Sequence, residues 1–576
     1  MQNKLPPKGS MGRFFSMLWK ARLPYAWILG YIIVNIVLTN VGVSTTEYTA
    51  ELYAGNVDFM GVVLPFLMVS LVSLVISSIS GILSGLCMAR IDRNLRRAVW
   101  EKVVRLPFGY YQQNAPKELI SRVTTDVSTI SALIMQVFIL ALTSLYATVR
   151  LFVQIRSYDP QLMVATLVLL PLQVVIGGIA GHLKFGLSDR VNRRTAELTE
   201  AISERTSQAM LIKSFSAQER EEHTVGQRAK AFYKISIQNA WVTNFVSPVY
   251  VLVGALQFIV IVMVGRGFYS DGSITLAQWV AYFAFANQII NYLTAYTGYW
   301  TSLKTAQGAT NRVAAVMAEQ EEERDAGDKV ETLRGDIAFD HVYFAYGTKP
   351  LFEDLSLTIP QGRATAVIGP SGSGKTSLLN LVERLYSPRS GSIRIGADDI
   401  RRFSKKSYRA ALTYITQEST MLSGTIRENL VFGVRREVED DELDQVCKQV
   451  NLLDYIRSLP AGYDTQVGED GFRLSGGQKQ KLAVARGMLK DSEYFLMDEG
   501  TAAMDAEAKD AVWDAVSRMM RGKTTLYVAH DRQTVLKADY VVVMEQGRVA
   551  AFGPIETVYE KNDYLRQLVG EGGLKR

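Results

Sequence analysis

Long apolar runs alternate with charged stretches through the first half of the chain and give way to short strand-length and helix-period patterns beyond residue 320. A hydrocarbon core of about 30 Å needs roughly 20 helical residues. Runs of that order lie at 25–43, 57–87, 131–153, 161–180, 242–264 and 276–300, so six membrane helices are expected. The sixth is the least apolar, because Gln, Asn and Tyr interrupt it. Residues 1–20 are basic and then mildly amphipathic, with Phe14, Phe15, Leu18 and Trp19. That pattern suits a tail or short helix at the membrane interface, and no cleavable signal peptide is evident. The expected organisation is a transmembrane domain over 21–318, a charged linker over 319–334 and an α/β domain over 335–576.

The polar segments between the runs set the orientation. Residues 43–56 contain no Lys or Arg, whereas 87–125 contain eight: Arg90, Arg93, Arg96, Arg97, Lys102, Arg105, Lys117 and Arg122. Short-loop positive charge favours the cytoplasmic side, which puts 87–125, both termini and the C-terminal domain inside the cell. The two inner segments, 88–130 and 181–241, are 43 and 61 residues long, charged and poor in turn residues. They read as helical hairpins projecting roughly 30 Å from the bilayer. Only Arg150 is a clear charge within the expected spans, near the outer end of the third.

Composition narrows the picture further. The chain has 576 residues, enough for two or three domains, and its formal charge is 63 − 57 = +6. In a membrane protein such an excess reflects cytoplasmic loops, and the basic runs do not alternate with aromatics, so nucleic acid is not an expected partner. Two cysteines, Cys87 and Cys447, make no disulfide framework, and no His/Cys cluster has metal-site spacing.

The chemistry sits in the second half. GPSGSGKT at 369–376 follows the apolar strand ATAVI and precedes a helical pattern. This strand–loop–helix context is what a phosphate-binding loop requires. Gly369, Pro370, Ser371, Gly372, Ser373 and Gly374 let the backbone wrap phosphates, and the helix that follows runs on through Ser377. Helix amides and Lys375 balance the charge, and the Thr376 hydroxyl is placed to ligate Mg²⁺. Asp498, 123 residues beyond Lys375, ends a second apolar strand. It is expected to hold Mg²⁺ through water, while the adjacent Glu499 orients or deprotonates the attacking water. ATP and Mg²⁺ are the expected cofactors.

LSGGQKQKLAVARG at 474–487 resembles the signature sequence of ATP-binding cassette (ABC) transporters. With six preceding spans, the whole chain resembles an exporter-type half-transporter: an α-helical membrane domain fused to one α/β nucleotide-binding domain. The resemblance implies further roles. Tyr346 stacks on adenine, Gln417 joins the Mg²⁺ site to the membrane domain, and His530 contacts the γ-phosphate. Ser475, Gly476, Gly477 and Gln478 form the signature that faces the partner's ATP, and Asp505 lies in the loop crossing to that partner. The loop around Glu469 touches the intracellular hairpins. Residues 106–127 and 212–221 are similar to the two coupling regions at the hairpin tips. The chain has DEGTAAMD where the family commonly has DEATSALD, a change that spares Asp498, Glu499 and Asp505.

The implied activity is ATP-driven export by alternating access in a homodimer or heterodimer of half-transporters, embedded in lipid of a bacterial inner or plasma membrane. The exporter fold leaves import open, and an ATP-gated channel or regulatory membrane subunit is a further alternative. Amides and aromatics in the expected spans are candidates for the solute cavity: Gln136, Asn244, Gln257, Asn287, Gln288, Asn291, Tyr292, Tyr296 and Tyr299. Spacings of three and four put Gln288, Asn291, Tyr292, Tyr296 and Tyr299 on one helix face. Such a face suits an amphipathic, weakly charged solute: a drug, peptide or lipid-like molecule.

Overall fold

The computed structural model describes residues 22–323, 325–468, 471, 473–498, 506–570 and 573–574. The expected N-terminal interfacial helix, Glu469, Glu499 and Asp505 lie outside the described residues. The chain forms two compact units: one runs up to Arg105 and resumes over Asn114–Gln320, and the other combines Leu106–Gln113 with Glu321–Arg576.

The first unit is built from long helices: α1 (Tyr25–Tyr53), α2 (Leu64–Val104), α3 (Pro116–Tyr158), α4 (Pro160–Ser207), α5 (Gln218–Ser270) and α6 (Leu276–Ala318). Their starts are written locally. Asp159 caps α4 by accepting from the Gln161 amide at 2.7 Å, with Pro160 in the first turn. Thr275 and Gln278 form a reciprocal capping box at α6. α4 and α5 have 48 and 53 residues, or about 70 and 80 Å, far more than a bilayer core requires. Pro171 and Pro248 lie inside them, as membrane helices tolerate. Among the described residues α1, Phe59–Val104 and α3 are apolar and long enough to cross a membrane, with mean hydropathy of 1.9, 2.6 and 2.0 in their best windows. α6 carries too many amides and hydroxyls to meet that criterion.

One end of these helices is tied by charge. Asp126, 2% exposed, accepts both the Arg312 guanidinium of α6 and that of Arg122 on its own helix. At the opposite end α1 continues past the expected boundary at 43 to Tyr53, and so carries Glu47 on the same helix. Glu47 accepts from Gln154 and from the Tyr158 hydroxyl at 2.7 Å, while Arg150 donates to Asn40 at 3.0 Å and to Gln154 at 2.6 Å. Arg150 is thus joined through Gln154 to Glu47, which lies beyond the expected end of the first span on the same continuous helix. Residues 44–53 are mostly polar or small and read as a loop, yet Thr45, Thr46 and Thr49 return hydrogen bonds to the preceding turn as the helix continues through them.

The second unit contains two sheets. β1 (Ile337–Tyr346) and β2 (Lys349–Ile359) form a hairpin closed by Gly347 and Thr348, and β4 (Ser390–Ile395) and β5 (Asp398–Asp399) extend it in the order β2-β1-β4-β5. The six-stranded sheet has the order β10-β9-β3-β8-β7-β6. Its members are β3 (Ala364–Ile368), β6 (Leu412–Ile415), β7 (Tyr494–Met497), β8 (Thr524–Val528), β9 (Tyr540–Glu545) and β10 (Arg548–Pro554). β9, β3, β8, β7 and β6 run parallel, and only β10 is antiparallel. Every residue of β3, β7 and β8 is buried, as expected of strands covered on both faces. One core around Phe352, Leu378 and Tyr408 covers one side, and another around Phe495, Trp513 and Tyr527 covers the other. Glu322 in the linker is held against this unit by Arg409 at 2.8 Å and Lys405 at 3.1 Å.

Candidate nucleotide site

The site grows from the carboxyl end of β3. The chain leaves the strand at Gly369, whose φ is +146° and where a Cβ would sit 2.1 Å from the Met544 carbonyl oxygen. It enters the helix Lys375–Val382 through Gly374, at φ +106°, where a Cβ would meet the Phe352 ring at 2.6 Å. No other residue type fits either position without displacing its neighbours. Between them the loop exposes Ser371 and Gly372 and buries Ser373. Lys375 Nζ folds back to donate to the Gly369 and Pro370 carbonyls at 2.8 and 2.9 Å. The result is a concave run of backbone amides at a helix start beside an ammonium group, a geometry matched to phosphate.

A cavity of about 300 Å³ opens beside this loop, lined by Tyr346, Lys349, Leu351, Gly372, Lys375 and Thr376 among others. Tyr346 supplies the aromatic wall. Its hydroxyl lies 2.9 Å from Ser377 Oγ, and the residue is 37% exposed, leaving apolar surface for a base. Lys349, brought opposite Tyr346 by the β-hairpin register, adds a second cation that the motif reading missed.

Three more parallel strands end on the same edge of the sheet. Gln417 follows β6, Asp498 follows β7 and His530 follows β8, and the strand order places these ends side by side with that of β3. The Asp498 amide donates to the Ile415 carbonyl at 2.9 Å, fixing the β7 and β6 ends together, and the Ala529 amide donates to the Val367 carbonyl at 3.1 Å, fixing β8 to β3. Carboxyl ends of parallel strands are where open α/β sheets bind ligands. Asp498 is 4% exposed, and Thr376, Gln417 and His530 are exposed. Thr376, Gln417 and Asp498 offer hard oxygen donors, the kind Mg²⁺ takes. Among the described residues no group of three or more His, Cys, Asp and Glu side chains is placed to hold a metal by itself. This donor set fits a magnesium ion completed by phosphate and water rather than a resident protein-caged metal.

Burial shifts two groups nearby. Burial, followed by the Asp498 charge, pushes the Tyr414 phenol up, and its hydroxyl donates to Asn380 on the phosphate-loop helix at 3.1 Å. Burial pushes Glu383, just past that helix, up to about 7, and Lys490 and Arg409 only partly offset it.

The signature residues stand apart from this cavity. Ser475 caps the helix Gly476–Lys490 in a reciprocal box with Gln478, at 3.2 and 2.8 Å, and Ser475 and Gly476 are exposed. None of them lines the 300 Å³ cavity.

In the helical unit, Gln288 and Tyr292 line a cavity of about 520 Å³ with Asn35, Thr39, Thr143 and Ser144, polar residues of α1 and α3 that the sequence reading passed over. The Tyr299 hydroxyl lies 3.3 Å from Ser144 Oγ, and the Tyr296 and Tyr299 rings are 5.8 Å apart. Gln136 accepts from Ser302 at 2.9 Å, and Asn244, Asn287 and Asn291 are exposed. Gln257, on α5, is 1% exposed.

Two family models match the chain: the ABC transporter transmembrane region over residues 25–293 and the ABC transporter domain over residues 352–502. A multidrug resistance ABC transporter ATP-binding and permease protein of Lactococcus lactis subsp. cremoris is 28% identical over 558 residues, covering 96% of this chain and 94% of that protein. An ATP-dependent lipid A-core flippase of Thiobacillus denitrificans is 29% identical, covering 83% of each chain. A fatty acid ABC transporter ATP-binding/permease protein of Mycobacterium bovis is 29% identical over 80% of this chain and 73% of that protein. The fold matches a solved structure of a bacterial Atm1-family ABC exporter with ATP bound, at a TM-score of 0.80 and 22% identity over 94% of this chain and 98% of that one. A helical membrane region and an α/β ABC domain joined in one chain identify it as a multi-pass member of the ABC transporters, an ATPase coupled to transport.

Proposed function

We propose that two half-transporters, identical or related, hold ATP between the phosphate loop of one and Ser475–Gly477 of the other, and export an amphipathic, weakly charged solute. The observation that carries this reading is the convergence of the phosphate loop, Gln417, Asp498 and His530 on one sheet edge, with a capped, exposed signature helix elsewhere on the same unit. An exposed helix N-terminus is free to meet phosphate from a second copy. The tip between α4 and α5 also presents exposed Met210 and Phe215 (87% and 76%), apolar surface suited to a partner's ABC domain.

Within this reading the loop amides and Lys375 bind the β- and γ-phosphates, and Tyr346 stacks on adenine. Thr376, Asp498 and Gln417 hold magnesium, which when bound screens the charge on the transferring phosphoryl group. Glu499 accepts a proton from the water that attacks the γ-phosphorus. His530 donates to the γ-phosphate, and Asp505 crosses to the partner. Closure of the two ABC domains opens the solute cavity outward, and hydrolysis with product release resets it, because ATP binds the closed state better than the open one. The positive-charge bias of 87–125 supports a cytoplasmic ABC domain.

Ser475→Arg places bulk and positive charge where the partner's γ-phosphate belongs. The folded protein is expected to bind ATP but not to close, as read by a spectroscopic distance between ABC domains; ATP-driven closure in this variant would contradict the shared site. The relatives' names point to drugs and lipids, all amphipathic. Substrate-stimulated ATP hydrolysis across peptides, lipids and drugs in nanodiscs tests the solute class. In the Asn291→Ala, Tyr296→Ala double variant, stimulation by the best substrate is expected to fall more than basal hydrolysis. Equal loss of both assigns this face to helix packing.

A further inference from the structure

Glu383 closes the phosphate-loop helix Lys375–Val382 as its C-terminal cap, is 8% exposed, and enters none of the roles above. The residue sits at the negative end of that helix, so the helix carbonyls oppose its ionisation as well as burial does. Its Oε2 has no hydrogen-bond partner among the described residues. The groups around it are committed elsewhere. The Tyr408 and Tyr414 hydroxyls donate to the Val382 carbonyl and to Asn380, and Arg384, next in the chain, donates to the Phe403 carbonyl. Lys490, with the Arg435 charge nearby, donates to the Arg409 and Leu412 carbonyls. Arg409 is shared. Its Nε donates to the Glu383 carbonyl at 3.2 Å, while Nη1 and Nη2 grip the two oxygens of Glu322 in the linker, at 3.0 and 2.8 Å. Lys405 adds a further bond to Glu322 at 3.1 Å. Against the burial of its side chain, the Arg409 and Lys405 charges hold Glu322 below the usual carboxylate range.

We propose that Glu383 is a proton-operated release for the linker: once ionised, it draws Arg409 from Glu322 and frees the stretch between α6 and β1 from this anchor. A buried carboxylate without a partner is costly, so the ionised group must acquire a cation. Lys490 turns to it only by orphaning two backbone carbonyls, one of them at the start of β6. Arg409 already bonds the Glu383 backbone, and on leaving Glu322 it leaves Lys405 behind as that residue's partner. Two carboxylates thus compete for one guanidinium, and the proton on Glu383 decides between them. Burial keeps that proton on up to about pH 7, with Lys490 and Arg409 offsetting only part of the effect. The stability carried by the neutral carboxyl is complete below its ordinary value of 4.5 and lost as pH rises through about 7. The linker is therefore held below neutrality and loosened above it. Asp328, held by Arg402 at 2.7 Å, is untouched, so the release is confined to residues before it.

A nitroxide spin label on the full chain in nanodiscs tests this. Glu323 is exposed beside the anchor, and both natural cysteines, Cys87 and Cys447, are buried, so Glu323→Cys directs the label to the linker. For a carboxyl that titrates near 7, the ionised fraction rises from about a tenth at pH 6 to about nine tenths at pH 8. The mobile fraction of the label is expected to rise with it by about threefold or more. Glu383→Gln keeps the shape and cannot ionise, and its label is expected to stay in the restrained state at both pH values. Glu322→Gln removes the charge that Arg409 grips, and its label is expected to be mobile at both. Histidines that titrate in the same range are unchanged in these variants, so the difference from the unaltered linker belongs to the two carboxyls. A residue with only a structural role would shift mobility equally at both pH values. A label that does not respond to pH in the unaltered background overturns the release. So does an undiminished pH response in Glu383→Gln or, where that variant does not fold, in Glu322→Gln.

Discussion

Exchange of Glu499 for glutamine is expected to slow ATP hydrolysis by about 100-fold or more, the span usual for loss of a general base, with ATP affinity retained. Asp498 follows β7 in a buried position, its amide bonded to the Ile415 carbonyl, and Glu499 is the next residue in the chain. An amide there keeps the shape and still hydrogen-bonds a water, but it cannot accept the proton that the water must lose. Reset depends on product formation, so the variant accumulates in the closed, outward-facing form when ATP and Mg²⁺ are present. Removing ATP reopens it. Single-turnover hydrolysis beside a distance probe across the ABC domains reads both effects. Near-normal turnover would take Glu499 out of the base role, and a variant that never closes would make it a residue of assembly.

Lys375→Ala is expected to weaken ATP binding by about 10- to 100-fold and to abolish transport, since a charge-assisted hydrogen bond to phosphate is lost. Lys375 is 7% exposed and folded across its own loop, donating to two carbonyls at 2.8 and 2.9 Å. The alanine variant therefore loses the phosphate partner and also a brace of the loop. Nucleotide titration together with thermal unfolding separates the two. A preserved unfolding midpoint with weak ATP binding fits the phosphate role. Unaltered affinity and transport would remove Lys375 from the site.

The phosphate loop is readable because its chemistry is local: eight consecutive residues carry the glycines, the lysine and the hydroxyl, and strand and helix patterns flank them. Gln417, Asp498 and His530 come together only through the order β3-β8-β7-β6, a long-range pairing that no local spacing displays. Family resemblance, rather than pattern, points to Gln417 and His530. In the helical unit, polarity points to Gln288 and Tyr292, which line a cavity together with residues of two other helices. Glu47 escapes the pattern because α1 continues past its apolar run. Asn35 and Thr39 escape it because helical amides and hydroxyls commonly bond the preceding turn, as both do here at 2.8 Å.

In the proposed function, ATP hydrolysis moves a solute outward across the membrane. The direct measurement is accumulation of the most strongly stimulating amphipathic solute in inside-out vesicles carrying the unaltered protein, beside vesicles carrying Lys375→Ala. ATP-dependent accumulation against a gradient in the first and none in the second is the predicted result. Passive, voltage-dependent flux in the presence of ATP, or movement in the opposite direction, would contradict it.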